Sequence, residues 1–164
     1  MRVRLHGRRR RLEGLDYSDQ SLVFFLTLTV PTPFRDNEQG PFCNRDLASS
    51  VVDSLLQIRE KRGIKLFSYC LMPDHLHLLL SLHGSGVSLS DVMRDFKSFT
   101  TRAAWSQGVP RLWQRGYYEH VVRDEIELRE TLAYVRNNPV RAGLVDRADA
   151  YPYSATPDQP LNRV

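Results

Sequence analysis

Residues 68–81 read SYCLMPDHLHLLLS. An apolar run breaks at Pro73–Asp74 and resumes as Asp74-His75-Leu76-His77-Leu78-Leu79-Leu80. Successive side chains on a strand point to opposite faces. His75 and His77 therefore project from one face while Leu76, Leu78 and Leu80 sink into the other. Two strands, Lys65–Met72 and His75–Leu82, meet at the short Pro73–Asp74 turn. Two imidazoles side by side on a rigid strand can act as paired metal ligands, or can be the polar face of a half-buried strand. Both readings stay open on this stretch alone.

Upstream, Ser21–Val30 (SLVFFLTLTV) is rich in β-branched and aromatic residues and suits a buried strand, stopped by Pro31 and Pro33. A polar loop follows, with Gly40 and Pro41. From Asn44 or Asp46 the apolar residues Leu47, Val51, Leu55 and Ile58 recur at helical spacing, and Gly63 fits the position just past the helix end. Downstream, Ser88 and Asp91 form a capping-box pattern. It opens a helix with Leu89, Val92, Met93, Phe96, Phe99 and Ala103 as its expected buried stripe. Gly108–Pro110 ends that helix, and a strand starts near Tyr117. Asp124 and Glu127 cap a third helix, expected to run to about Asn137. Pro139 then fits the first position of a separate short helix, with Asn138 as its N-cap.

The order β-α-β-β-α-β-α predicts an α+β fold. Its first six elements spell a ferredoxin-like split β-α-β, with a central antiparallel sheet and two helices on one face. The additional C-terminal helix could cover the other face, near the histidines. Residues 1–20 are read as a basic arm and lead-in, 21–153 as one domain, and 154–164 as a loose tail.

The chain has 164 residues and a net charge of +4. Residues 1–11 hold six arginines and no acid, which leaves the other 153 residues at −2. The basic character sits in the arm, and Arg2, Arg4, Arg8, Arg9, Arg10 and Arg11 are candidate phosphate contacts, because neutralised phosphates release counterions. No apolar run approaches a membrane span. Two cysteines, Cys43 and Cys70, offer no disulfide framework, so a cytoplasmic setting is expected.

On the third helix Tyr134 and Asn138 are four apart and share one flank, with Glu127 and Thr131 in line behind them. A tyrosine there offers a phenol able to attack. Ionising an ordinary phenol at pH 7 costs about three pK units, about 4 kcal/mol. A nearby divalent cation supplies part of that, which couples Tyr134 to the histidine pair.

LMPDHLHLLL, RLWQRGYYEHVVRDEIEL and YVRNNPVRAGLV together closely resemble the REP-associated tyrosine transposases, single-tyrosine members of the His-hydrophobic-His group. The resemblance runs from RRRRLEGLDYSD to YPYS, nearly the whole chain. It implies metal-dependent cleavage and rejoining of single-stranded DNA near hairpins. Carried over, His75, His77 and Asn138 hold the metal, Mg²⁺ or Mn²⁺, and Tyr134 is the nucleophile that forms a 5′-phosphotyrosine. Asparagine departs from the glutamine of some relatives and is shorter by one methylene. Lys97, within the family-like FKSFT, is read as a phosphate contact, and the arm arginines as holding DNA beside a hairpin. His120 is left between catalysis and a structural hydrogen bond, and Trp113 is read as core rather than as a stacking platform. The resemblance favours a monomer. The competing readings are a non-catalytic single-strand-binding module and a metallohydrolase without a covalent intermediate.

Overall fold

The computed structural model describes residues 14–31 and 40–159. The elements in chain order are β1 (Val23–Thr29), α1 (Arg45–Arg62), β2 (Lys65–Met72), β3 (His75–Ser81), α2 (Leu89–Trp105), β4 (Tyr118–Val122), α3 (Glu125–Arg141) and β5 (Ser154–Ala155), with one-turn 3₁₀ helices at Pro41–Cys43 and Ala148–Ala150. The sheet order is β4-β1-β3-β2-β5 and every neighbouring pair is antiparallel. This is the expected split β-α-β arrangement with a short strand added at one edge.

Strand periodicity sorts the sheet into two faces. Phe24, Leu26 and Leu28 of β1 pair in register with Leu80, Leu78 and Leu76 of β3, and all six are fully buried. They pack against Leu47, Val51, Leu55 and Ile58 of α1 and Leu89, Val92, Met93 and Phe96 of α2. The helix starts are capped as their sequences ask: Asn44 accepts from the Asp46 and Leu47 amides, Ser88 from Asp91, and Asp124 from Glu127.

Three expectations need correction. On α2, Phe99 is 45% exposed, and the buried line continues through Thr100 and Ala104 instead. The Thr100 hydroxyl is satisfied there: it donates to the Phe96 carbonyl at 2.7 Å and accepts from Trp113 Nε1 at 2.8 Å. Trp113 itself is core, packed against Phe42 and Phe96. A buried threonine whose partner arrives from a later loop carries no periodic signal.

The third helix does not stop at Asn137. It runs through Pro139 to Arg141, so Asn138 is an interior helical residue and not an N-cap. Proline this near a helix end removes one amide from the ladder. The last turn still closes, through the Ala142 amide to Asn138 O, Gly143 to Val140 O and Leu144 to Pro139 O.

Residues 154–159 are docked rather than loose. Ser154 and Ala155 pair with Cys70 and Tyr69. Asp158 accepts from the Arg59 guanidinium and from the Leu66 amide at 2.8 Å. Its carboxyl lies below the usual carboxylate range, chiefly because of Arg59.

Gly40 lies against the turn that leads into β3. A Cβ placed there would stand 2.0 Å from the Pro73 carbonyl oxygen and 2.5 Å from its carbon. The same carbonyl accepts from the Phe42 amide at 3.1 Å. The obstacle is backbone, which cannot swing aside, so Gly40→Ala should destabilise the fold by about 2–3 kcal/mol. Urea unfolding measures this, and an unchanged midpoint would show that the turn yields freely. No helix among the described residues is long and apolar enough to cross a membrane.

Candidate active site

The second face of the sheet carries the polar residues. Thr27 pairs with His77 and Thr29 with His75 across β1 and β3, so two threonines and two imidazoles form a block on that face. α3 lies over the adjoining apolar patch of Phe25, Phe67, Cys70, Met72 and Leu79, inserting Val135, with Leu128 and Leu132 alongside. That seating brings the Tyr134 flank to the edge of the histidine block. Tyr134 stands 5.5 Å from His77, ring centre to ring centre, and 6.0 Å from Phe25 in an edge contact. His75 and His77 are 4.7 Å apart. α3 thus brings the Tyr134 ring up to His77.

Each imidazole is held by its Nδ1. The Asp74 carboxylate lies 2.6 Å from His75 Nδ1 and can only accept, so that nitrogen carries a proton and the ring's orientation is fixed. Thr27 Oγ1 lies 2.9 Å from His77 Nδ1, a hydrogen bond that fixes the second ring in the same way. His77 is 3% exposed, and burial, with His75 beside it, holds its pKa well below the usual histidine value. It is therefore uncharged at neutral pH. A neutral imidazole held through one nitrogen is the form that binds metal.

Among the described residues no group of three or more His, Cys, Asp or Glu side chains could hold a metal ion. An ion held by His75 and His77 would take its third donor from another residue type. Asn138, half-buried and one helical turn beyond Tyr134 on the same flank, offers an amide oxygen. Losing the capping role removes the competing use of that side chain. Two imidazoles and a carbonyl oxygen suit Mn²⁺ by donor type and admit Mg²⁺ less readily, so the residues fit a divalent ion.

Other candidates fall elsewhere. The Lys97 ammonium donates to the Gln114 carbonyl at 3.0 Å and to the Gly116 carbonyl, and sits 5.6 Å from the Tyr117 ring centre. Burial draws its pKa down to about 8. Its donors pin the loop before β4, a structural task that the sequence did not show beside the expected phosphate role. His120 shares the α3 side of the sheet. Its Nε2 lies 2.8 Å from Glu127 Oε1, while Glu127 Oε2 accepts from the Arg123 amide at 2.8 Å. The Arg123 and His120 bonds hold the Glu127 carboxyl at about 2. His120 thus ties β4 to the start of α3. The six arm arginines lie outside the described residues.

Thr27 and Asp74 are the residues that sequence reasoning missed. The signal for Thr27 was present: Thr27-Leu28-Thr29 breaks an apolar strand with the same period as His75-Leu76-His77.

The family described as Transposase IS200 like matches residues 34–138, and the chain belongs to that family. Among curated relatives, the Escherichia coli (strain K12) REP-associated tyrosine transposase is 25% identical over 101 residues, 62% of this chain and 59% of that protein. A Haemophilus influenzae protein provisionally given the same name is 30% identical over 110 residues, 60% of this chain and 62% of that one. The chain thus spans about three-fifths of the length of each relative. A solved structure of a REP-associated tyrosine transposase bound to a REP hairpin is 21% identical and covers 91% of this chain and 82% of its own, with a TM-score of 0.71. That likeness shows the fold.

Proposed function

We propose that this chain cuts and rejoins single-stranded DNA beside hairpins through a covalent bond to Tyr134. The observation that carries the proposal is the meeting of Tyr134 with the His75–His77 pair at the rim of one sheet face, 5.5 Å from His77. His75, His77 and Asn138 would hold a divalent ion. When bound, that ion polarises the scissile phosphate and eases loss of the phenolic proton. Tyr134 Oη attacks phosphorus, the bond to the 3′ oxygen breaks, and that oxygen takes up a proton as a free hydroxyl. The 5′-phosphotyrosine conserves the bond energy, so a 3′-hydroxyl can later attack it and rejoin strands with no nucleotide cofactor. The hairpin preference rests on the REP hairpin bound by the relative of like fold.

The test is to incubate the protein with Mn²⁺ and a hairpin oligonucleotide carrying randomised single-stranded flanks, then map any adduct by peptide mass spectrometry. The linkage should fall on Tyr134. Linkage to Tyr118, or binding without any adduct, would refute the assignment, and the latter would point to a binding module.

The arm gives a second expectation. If all six arginines of residues 1–11 meet phosphates, deleting the arm should flatten the salt dependence of single-strand affinity by a slope of about 4. A titration of affinity against salt reads this directly, and an unchanged slope would assign the arm no DNA contact.

A further inference from the structure

Arg141 ends α3 on the flank that carries Tyr134 and Asn138, and its guanidinium carbon lies 5.1 Å from the Tyr134 ring centre. A cation in the last turn of a helix ordinarily answers the open carbonyls there. Those of Asn138, Pro139 and Val140 are already taken by the amides of Ala142, Leu144 and Gly143. Nor does Arg141 serve a carboxylate. Its neighbours on and around α3 do: Arg123 pairs with Glu127, Arg129 with Glu125 and Arg147 with Asp149. Among the described residues Arg141 makes no such ion pair, and its guanidinium lies over the tyrosine ring. A guanidinium stacked on an aromatic face keeps its planar fork of N–H donors available. This fork stands beside a tyrosine that is itself beside two imidazoles. Its matching ligand is an oxyanion with two accessible oxygens, which a phosphodiester supplies.

We propose that Arg141 is a further catalytic residue, gripping the non-bridging oxygens of the phosphate that Tyr134 attacks; this rests on the reading of Tyr134 as the nucleophile. In the step it serves, the Tyr134 Oη–P bond forms and the P–O3′ bond breaks. The phenolic proton passes to water and the leaving 3′ oxygen takes one up. Arg141 exchanges no proton. It donates hydrogen bonds to oxygens that gather charge as phosphorus passes between the two partners, so its contribution is larger in the transition state than in the bound substrate. Because it sits on the ring, the same cation also sets the tyrosine and the phosphate in one frame.

Arg141→Met keeps an apolar cover on the tyrosine ring and removes the fork, and Arg141→Ala opens the space. With the randomised-flank hairpin oligonucleotide and Mn²⁺, single-turnover adduct formation should fall about 10²–10³-fold in both variants. Oligonucleotide affinity, read by fluorescence anisotropy, should fall less than about 10-fold, because the grip is stronger in the transition state than in the bound substrate. Guanidinium chloride, at a concentration too low to unfold the protein, should restore part of the rate to Arg141→Ala alone, an effect that a purely structural side chain would not show. A wild-type rate in Arg141→Met would overturn the proposal and leave Tyr134 as nucleophile. Absence of any adduct from the wild-type protein would overturn both.

Discussion

Tyr134→Phe should abolish strand cleavage and the covalent adduct while folding and DNA binding persist. The substitution deletes one oxygen and keeps the ring that α3 presents to Phe25 and His77. Arg141 also retains an aromatic face to rest on. Stability should therefore change by less than about 1 kcal/mol. Catalysis has no comparable tolerance. Without the hydroxyl no protein oxygen stands at that position, and a covalent route cannot start. Loss of a nucleophile in other covalent enzymes costs several orders of magnitude, so a drop on the order of 10⁴-fold or more is expected. Denaturing gels of single-turnover reactions separate the three readings of the chain. A covalent strand transferase loses both product and adduct. A metallohydrolase built on His75 and His77 would cut at its old rate, since it never used the phenol. A binding module would show no product in either protein. Undiminished cleavage by Tyr134→Phe is the outcome that defeats the mechanism.

Most of this face could be read before any coordinates were known, because alternation on a strand and the four-residue step on a helix are local rules. His75 and His77 had to share a face, and Tyr134 and Asn138 had to share a flank. What those rules could not supply was which residues stand behind the histidines. Thr27 is fifty positions away from His77 and becomes its neighbour only through the β1–β3 register. Asp74 looked like a turn former, and its carboxylate is in addition the acceptor for His75. Pro139 misled for a related reason. Its missing amide argues for a boundary in isolation, yet the surrounding turn closes on other donors and the helix carries Asn138 and Arg141 onward in phase with Tyr134. Lys97 looked solvated by sequence, whereas its carbonyl partners lie 17 and 19 residues ahead in the loop that leads into β4.

His75→Ala carries the second large effect, and the sharper one for the ion. His77 is the deeper of the two imidazoles, 3% exposed, so truncating it also opens a cavity and costs about 2 kcal/mol of packing. The His75 side chain is 18% exposed and its loss leaves the core untouched. Removing one of two imidazoles should weaken Mn²⁺ binding by at least about 100-fold, read by paramagnetic resonance of free Mn²⁺ in the absence of DNA. Cleavage at fixed Mn²⁺ should fall on the order of 10³-fold, and chelation should bring the wild-type protein to the same low level. Asp74→Asn tests the hydrogen bond behind the ligand. It keeps the imidazole but removes the charge that fixes its Nδ1–H, so affinity should drop about 10–100-fold. Saturating Mn²⁺ should then restore cleavage to Asp74→Asn and fail to restore it to His75→Ala, because only the second variant lacks a donor. If His75→Ala binds Mn²⁺ as tightly as the wild type, the two histidines are merely the polar face of a strand, and Tyr134 must find its activation elsewhere.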